Sequence, residues 1–371
     1  MAIHLRPPVL TNSITDQYAF EFKKNSKAMI TNVETEVGCC DMGNTTIMPF
    51  TVNNTEYENS YVCSPYTMLV PYCIEELHKL DNRVLSVVIK QVLRLLDRYV
   101  KHNNINRIVH INNWLLSTNL YPCVEKLTNI DVLLNTFSHH YKSHSLVFRS
   151  LNTHLNKELL SKLTSLGCIA VPTRQVYLYD KQLKDYSKTH NYKIDKKLLE
   201  NTHYQYVAQS DIKESDYNRI IELYNMLYVD KYSKYNPQFT SLYITSIIKS
   251  PYFFIEGFRN KHGILDAVGG RFTIGSTTSL PIVGYDTKKP KHFGLYRLVL
   301  ISTLLYAEKN NLCFNASSGA AHFKRLRGAS PDIEYSMVYV KHLSNSSQRF
   351  WKIVAFILNK IFIPIMKKYK L

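Results

Sequence analysis

Apolar residues recur at helical spacing in several segments of the chain. Val88, Val92, Leu95 and Tyr99 lie three or four residues apart, which places them on one face of a helix over 84–100. The same spacing predicts further helices at 156–166, 216–228, 240–249 and 294–311.

Between these segments lie short runs rich in β-branched and aromatic residues, which are typical of strands. Helices and strands alternate along both halves of the chain, so the pattern predicts an α/β (α+β) protein with mixed, mostly antiparallel sheets flanked by helices. The predicted strands are 27–33, 46–52, 107–111, 146–149, 173–179, 280–285, 313–316 and 334–341.

Residues 180–203 interrupt this pattern. Lys, Asp, Thr, Asn and Tyr predominate there with little apolar periodicity, which predicts a surface connection between two domains. A chain of 371 residues also exceeds what one core usually holds. We therefore expect an N-terminal domain at 1–180, a C-terminal domain at 204–343, and a tail at 344–371.

The excess of positive charge is concentrated near the C-terminus. The whole chain carries a net charge of +17, but residues 1–286 contribute only +5 and residues 287–371 contribute +12. A local basic field of this kind suits an anionic partner such as a phosphate-bearing cofactor, an acidic carrier protein, RNA or an anionic membrane.

The seven cysteines are scattered and odd in number, without a CxxC pair or a Cys/His cluster at zinc spacing. We therefore expect neither a disulfide framework nor a metal site. The first 20 residues have no apolar core, and no apolar run reaches the length of a membrane span. These features predict a cytoplasmic protein.

The segment 281–297 carries the clearest signal for a ligand site. A predicted strand runs into a basic loop with Lys288, Lys289 and Lys291, and a helix opens directly at Gly294. Helix N-termini bind phosphates through unpaired N–H groups. The alternative is a solvated loop whose lysines face water. The predicted cofactor-binding residues also include the first helical positions, Leu295, Tyr296 and Arg297.

A second candidate segment is 314–328. Ser317 and Ser318 are small and allow a ligand to approach the backbone, and Lys324 and Arg325 supply cations. His322 beside them is a candidate acid or base. The alternative is a tight connection packed for steric reasons.

Two acidic residues are candidate bases. Glu334 lies on an otherwise apolar and aromatic strand, and Asp286 ends the strand before the basic loop. For Glu334 a salt bridge to Arg325 or Arg327 is the competing interpretation.

Polar and aromatic residues in three other segments are candidates for binding the acceptor substrate. Each segment also has a structural interpretation as a hydrogen-bonded turn or a packed helix junction. The candidates are Asn113, Trp114, Arg149, Asn152, Asp230, Lys231 and Tyr232.

The tail combines aromatic residues with lysines and has no acidic residue after Glu334. Two interpretations are open for 349–371: an amphipathic helix lying on an anionic membrane, or a terminal helix docking on the core.

Segments 109–122, 147–152, 230–233, 236–239 and 317–328 resemble a bacterial group of GNAT-superfamily acyltransferases, and the similarity runs in order from about residue 9 to the C-terminus. The resemblance implies a GNAT fold in two tandem units, as in Fem-type aminoacyl transferases. It also implies transfer of an acyl group from a thioester, usually acetyl-CoA, to an amine. Backbone N–H groups near Tyr285 would polarise the carbonyl, and Tyr335 or Tyr339 would protonate the thiolate.

The pyrophosphate-binding signature of the superfamily is incomplete in this sequence. Lys291 stands in place of Gln or Arg and Tyr296 in place of a small residue, while Gly294 matches. The departure leaves room for a longer acyl-CoA, an acyl carrier protein or aminoacyl-tRNA as donor. Three hypotheses therefore stay open: an N-acyltransferase using a phosphopantetheine thioester, a Fem-like aminoacyl-tRNA-dependent transferase, and a non-catalytic membrane-associated protein with this fold, peripheral to the inner face of the membrane.

Overall fold

The computed structural model describes residues 3–23, 25–42, 46–77, 83–127, 129–364 and 366. Its strands are β1 (His4–Arg6), β2 (Glu36–Asp41), β3 (Ile47–Asn53), β4 (Ile108–Ile111), β5 (Ser145–Asn152), β6 (Ile169–Tyr179), β7 (Gln205–Val207), β8 (Phe253–Arg259), β9 (Leu265–Ile274), β10 (Thr277–Tyr285), β11 (Cys313–Asn315) and β12 (Ser330–Tyr339). Its α-helices are α1 (Ile14–Phe22), α2 (Ser26–Met29), α3 (Pro65–Leu69), α4 (Pro71–Glu76), α5 (Arg83–His102), α6 (Ile130–His140), α7 (Lys157–Ser165), α8 (His190–Glu200), α9 (Tyr217–Tyr228), α10 (Ser241–Ile248), α11 (Leu295–Lys309), α12 (Ala321–Leu326) and α13 (Asn345–Ile357).

The twelve strands form one sheet in the order β1-β2-β3-β4-β5-β12-β6-β11-β10-β9-β8-β7. Each half of the chain repeats the same arrangement. Four antiparallel strands, β1 to β4 or β7 to β10, are followed by one parallel neighbour, β5 or β11. The duplication expected from the sequence is thus visible in the topology.

The two halves exchange strands at the centre of the sheet. The last strand, β12, pairs with β5 of the N-terminal half and with β6, and β6 in turn pairs with β11 of the C-terminal half. All three pairings are antiparallel. Because a strand from each half is inserted into the other, the halves share a continuous hydrogen-bonded core.

Helices cover both faces of the C-terminal half of the sheet. Gly284 lets α9 approach closely, because a Cβ at this position would lie 2.4 Å from the carbonyl carbon of Leu223. On the opposite face a Cβ at Gly269 would lie 2.7 Å from the Val299 side chain of α11. The strands of this half therefore lie between α9 and α11, which fixes where the loop before α11 emerges.

The predicted surface connection at 180–203 is wrong. This segment contains α8, and Tyr186, Tyr192 and Asp195 in and before the helix are buried. Helix α8 packs against α11. The buried positions of this segment are tyrosines and an aspartate. Such residues are not counted as core positions when a helix is predicted from hydrophobic periodicity.

The predicted strand at 27–33 is also wrong. The short helix α2 begins there, since the side chain of Asn25 accepts a hydrogen bond from the N–H of Lys27 and caps the first turn.

The tail docks on the core through one face of α13. Phe350, Trp351 and Ala355 are buried, and Trp351 Nε1 donates to Ser145 Oγ at 3.1 Å. Residues 365 and 367–371, with Lys367, Lys368 and Lys370, lie outside the described residues. Among the described helices, none has the length and apolar character to cross a membrane.

Candidate functional site

The parallel strands β10 and β11 separate after a short stretch of pairing. They pair only between Thr277–Ser279 and Cys313–Asn315, whereas β10 continues along β9 as far as Tyr285. The pairing with β9 shifts between Ser279 and Ile282, at a bulge. Beyond Ser279, β10 extends past the end of β11, and we call the region between β10 and the loop after β11 the β10–β11 wedge.

Beyond Ser279, one edge of β10 pairs with β9 and the other faces away from it. Asp286 donates its N–H to the carbonyl of Asp266 beside β9. Since hydrogen-bonding direction alternates along an antiparallel strand, the N–H groups of Tyr285 and Val283 point to the opposite edge, into the wedge.

The basic loop connects β10 to α11, and Gly294 adopts a left-handed conformation (φ 66°) immediately before the helix. Lys288 and Lys291 are exposed. Lys289 instead lies 3.4 Å from the buried carboxylate of Asp266. Two of the three predicted lysines are thus available to an anion at this helix N-terminus.

Asp286 is engaged in the turn that it begins. Its carboxylate accepts from the N–H of Lys288 at 3.0 Å and forms an ion pair with Arg219 at 3.0 Å. The carboxylate therefore holds the basic loop against α9.

Helix α8 covers the start of α11. A Cβ at Gly294 would lie 2.6 Å from the Leu198 side chain, and Arg297 Nε donates to Asp195 at 2.6 Å. Asp195 also forms an ion pair with Arg327. The predicted phosphate ligand Arg297 is therefore paired with a buried carboxylate, and Leu295 is buried beside it.

On the other side of the wedge, the loop after β11 is fastened by the buried Lys324. Its Nζ donates to the carbonyl groups of Ala316, Ser317 and Ser318 at 2.6, 3.3 and 2.8 Å. Burial and the nearby positive charge of Arg174 lower the pKa of Lys324 to about 7. Three carbonyl acceptors favour the ammonium form, so the lysine acts as a clamp on the loop.

The clamped loop is strained. Ser317 and Ala320 have positive φ angles of 58° and 48°, although neither is glycine. Left-handed non-glycine residues cost of order 1 kcal/mol each and are concentrated at functional sites. Arg325 lies beside the same loop, with Nη1 3.4 Å from the Tyr177 hydroxyl.

Aromatic side chains line the wedge near α11. The ring of Tyr296 lies 6.2 Å from that of Tyr285 and 5.1 Å from that of Phe323. Burial raises the pKa of Tyr296 and of Tyr228, and the tyrosines around them raise both further. Protonated phenols in this apolar setting are hydrogen-bond donors at neutral pH.

The buried Glu334 forms an ion pair with the partly exposed Arg174, in which Arg174 Nε and Glu334 Oε1 are 2.8 Å apart. The partner expected from the sequence, Arg325 or Arg327, is wrong because β12 lies beside β6 in antiparallel register, which places Arg174 directly opposite Glu334.

The ion pair is connected to the clamped loop. Arg174 Nη2 donates to Thr118 Oγ1 at 3.0 Å, and Thr118 Oγ1 donates to Ser317 Oγ at 3.1 Å. Glu334 and Ser317 thus belong to one polar network at the junction of the two halves.

The other candidate acids and bases are dispersed. Tyr339 lies eight residues along β12 from Pro331, which pairs with Tyr177 beside the wedge; that is roughly 27 Å. Tyr335 pairs with Leu151 of the N-terminal half. His322 is exposed on α12.

Four of the predicted acceptor residues lie inside the N-terminal half. Asn113, Trp114 and Arg149 are buried, and Arg149 Nη1 donates to the carbonyl of Val62 at 2.6 Å. Trp114 packs in an aromatic cluster with Tyr18. Asn152 is buried opposite Glu334, and its side-chain nitrogen has no partner within the described part of the chain.

The remaining three, Asp230, Lys231 and Tyr232, are exposed in the turn after α9. The rings of Tyr228 and Tyr232 lie 6.1 Å apart. Tyr228 packs against the same apolar cluster as Tyr285 and Tyr296, so this turn lies near the start of α11.

The overall arrangement matches a known structure. The crystal structure of FemX is similar to this chain with a TM-score of 0.54 and 8% sequence identity, over 96% of this chain and 100% of that chain. The chain has the tandem GNAT fold.

Two other solved structures are similar at lower scores. A tandem GNAT protein from the clavulanic acid biosynthesis pathway has a TM-score of 0.41 and 7% identity, over 91% of this chain and 98% of that chain. L-PGS from Bacillus licheniformis has a TM-score of 0.44 and 14% identity, over 60% and 78%. No protein-family model and no curated protein sequence matches the chain.

Sequence reasoning missed Arg174, Asp195 and Thr118, three residues that organise the wedge of this tandem GNAT fold. Arg174 is the second residue of the predicted strand 173–179, where an unexplained charge was the available signal. Asp195 and Thr118 carry no comparable signal, because their partners are more than 50 residues away along the chain.

One group of side chains in the described part of the chain could hold a metal ion. The ligand atoms of His154, Asp180 and Cys313 lie within 4.8 Å of one another. His154 Nε2 and Asp180 Oδ2 already form a hydrogen bond at 2.8 Å. Cys313 begins β11, whereas the strands separate at its other end, so this group is outside the wedge.

Proposed function

We propose that the protein is an N-acyltransferase that holds a phosphopantetheine thioester, either acyl-CoA or an acylated carrier protein, in the β10–β11 wedge. The single observation that carries the proposal is the separation of these parallel strands. Beyond Ser279, the edge of β10 that carries the N–H groups of Val283 and Tyr285 is not paired with β11. An extended pantetheine arm with its two amides fits such an edge.

The chemistry needs three contributions from the protein. A neutral amine attacks the thioester carbonyl, a tetrahedral oxyanion forms, and the thiolate leaves and takes up a proton. We assign the stabilisation of the oxyanion to hydrogen bonds from backbone N–H groups of β10. Tyr285 and Tyr296 are the phenols adjacent to this edge and are the candidate donors to the thiolate.

The two candidate bases differ in their setting. Glu334 is connected through Arg174 and Thr118 to Ser317, whereas Asp286 is fixed by Arg219 on the side of α9. We therefore assign the proton transfer to Glu334, acting through water, and a positioning role to Asp286.

A Fem-like aminoacyl-tRNA-dependent transferase is the second candidate, and one observation favours it. Leu198 lies against Gly294, and Asp195 and Asp266 engage Arg297 and Lys289. A donor that needs no pyrophosphate cradle suits this crowded helix start better than CoA does. Both candidate functions transfer the group to an amine acceptor. Because the cysteines are scattered and odd in number, we place the protein in a reducing, cytoplasmic compartment.

Calorimetric titration separates the candidates. We expect acyl-CoA to bind, and Lys288→Glu/Lys291→Glu to weaken its affinity about tenfold, since two cations at the helix start become anions. The same variant leaves binding of an acyl-pantetheine without phosphates unchanged. Lys309→Glu, at the other end of α11, is the matched control and has no effect.

The opposite results are equally clear. Binding of aminoacyl-tRNA without binding of any pantetheine thioester selects the second candidate. Failure of all three ligands to bind the folded protein refutes both transferase assignments.

A further inference from the structure

Helix α5 exposes an apolar stripe to solvent. Val88, Val92, Leu95 and Tyr99 recur every three or four residues, and the side chain of Leu95 is 66% exposed. The same helix packs on the core through a different stripe that includes Leu93 and Val100. Apolar residues thus cover both the inner and the outer side of α5.

The outer side of α13 repeats this feature. Ile353, Phe356 and Ile357 lie on one face of α13, with Phe356 64% exposed. Ile361 is also exposed, in the helical segment Leu358–Phe362 that continues α13. The core-facing side is already provided by Phe350, Trp351 and Ala355. Packing against the protein therefore does not account for the outer stripe.

The two stripes are joined through Phe350, which lies one turn before Ile353 and two turns before Ile357 on α13. The rings of Tyr99 and Phe350 stack at 5.6 Å with an interplanar angle of 17°, which joins α5 to α13. Both helices pack on the same hydrophobic cluster. We call this surface the α5–α13 face. Isolated exposed apolar residues are ordinary, but an extended patch marks an interaction site.

Positive charge borders the α5–α13 face. Lys90, Arg94 and Arg98 recur every four residues along α5 and are exposed. Along α13 and its continuation, Arg349, Lys352 and Lys360 are exposed, and residues 345–364 include no acidic residue. The one acid of α5, Asp97, is paired with Lys101 and accepts from Tyr66.

We propose that the α5–α13 face docks the protein on a membrane containing anionic phospholipids. The apolar side chains would enter the interface between headgroups and acyl chains, and the bordering cations would pair with the phosphates. A second copy of the chain is a poorer occupant, because it would place one basic border against another. The proposal does not depend on the transferase assignment.

Vesicle flotation tests it with the full-length protein. We expect flotation with vesicles of phosphatidylcholine and 30% phosphatidylglycerol, at least tenfold less with pure phosphatidylcholine, and a decrease at high salt. Leu95→Glu/Phe356→Glu should reduce binding at least tenfold. The matched control is Leu242→Glu/Ile264→Glu, which changes two comparably exposed apolar residues elsewhere and should float like the wild type.

Circular dichroism establishes that both variants are folded. The proposal is overturned if the wild-type protein does not float, if the two folded variants float equally, or if anionic lipid makes no difference. It is also overturned if sedimentation velocity shows a dimer that Leu95→Glu/Phe356→Glu dissociates, since that result would assign the face to a second copy.

Discussion

The N-terminal and C-terminal halves each contain a pair of parallel strands that separates, and the two openings are filled differently. In the N-terminal half, β4 and β5 pair from Ile108 to Ile111, and the loop that follows folds back on itself. Asn112 Nδ2 donates to the Leu120 carbonyl, and Trp114 Nε1 donates to Asn112 Oδ1. The β10–β11 wedge of the C-terminal half is instead bordered by exposed Lys288 and Lys291 and by the loop that Lys324 clamps.

The two copies of the duplicated fold therefore use their polar groups differently. The N-terminal opening is closed by buried amides that bond to one another, which is a structural use of polar groups. The C-terminal opening keeps backbone edges, phenols and cations at its border. Similar topology therefore does not imply similar chemistry, and the donor site is expected in one half only.

The largest effect is expected where the two halves meet, at the Arg174–Glu334 ion pair. Arg174→Met leaves the buried carboxylate of Glu334 without its partner, and we expect a loss of about 3–5 kcal/mol in the free energy of unfolding. Urea denaturation followed by circular dichroism measures this loss. Arg174→Met/Glu334→Leu should recover most of it, and a single variant that costs less than about 1 kcal/mol would contradict a buried pair.

A smaller effect is expected from the closed N-terminal loop. Asn113 Nδ2 donates to Thr51 Oγ1 at 2.8 Å and to the Val62 carbonyl at 3.0 Å. Asn113→Ala should therefore cost about 2–3 kcal/mol, because buried acceptors lose their donors. The exposed control Asp230→Ala, beside the wedge, should stay within about 0.5 kcal/mol of the wild type in the same denaturation experiment. Equal losses in the free energy of unfolding for the two variants would contradict the structural difference between the two halves.

The smallest effect concerns pH. Burial and the nearby charge of Arg149 keep the pKa of His110 well below its usual value. Below pH 6.5 the unfolded chain therefore binds a proton that the folded chain does not, and stability falls as the pH falls. Between pH 6.5 and 5.5, His110 should contribute a loss of about 1 kcal/mol.

Denaturation at several pH values measures this contribution as the difference between the wild type and His110→Gln, which should show a shallower decrease. His322→Gln changes an exposed histidine of the C-terminal half and should keep the wild-type decrease. Identical pH profiles for all three proteins would show that His110 is hydrated or paired in the fold.

Local patterns predicted most elements of the C-terminal half. The helices expected at 216–228, 240–249 and 294–311 correspond to α9, α10 and α11, because their apolar stripes have the right period. The predictions for the segments that form α2 and α8 were wrong for different reasons. In α2 a single Asn25 side chain decided the local structure, and in α8 the buried face is aromatic and charged.

The sequence predicted only those parts of the candidate site whose residues are close together along the chain. The basic loop and Gly294 are adjacent in sequence, so their proximity to a helix start could be inferred. Nothing local indicated that Leu198 and Asp195 of α8 would cover that helix start, since these contacts span about a hundred residues.

The sequence by itself determined helices such as α9, α10 and α11 and the concentration of positive charge toward the C-terminus, because apolar period and charge are properties of neighbouring residues. Only the tertiary structure decided that β12 crosses to the N-terminal half, that Glu334 meets Arg174, and that the outer sides of α5 and α13 form one surface. Those outcomes depend on strand order and helix docking, which are fixed by the burial of faces contributed by distant parts of the chain.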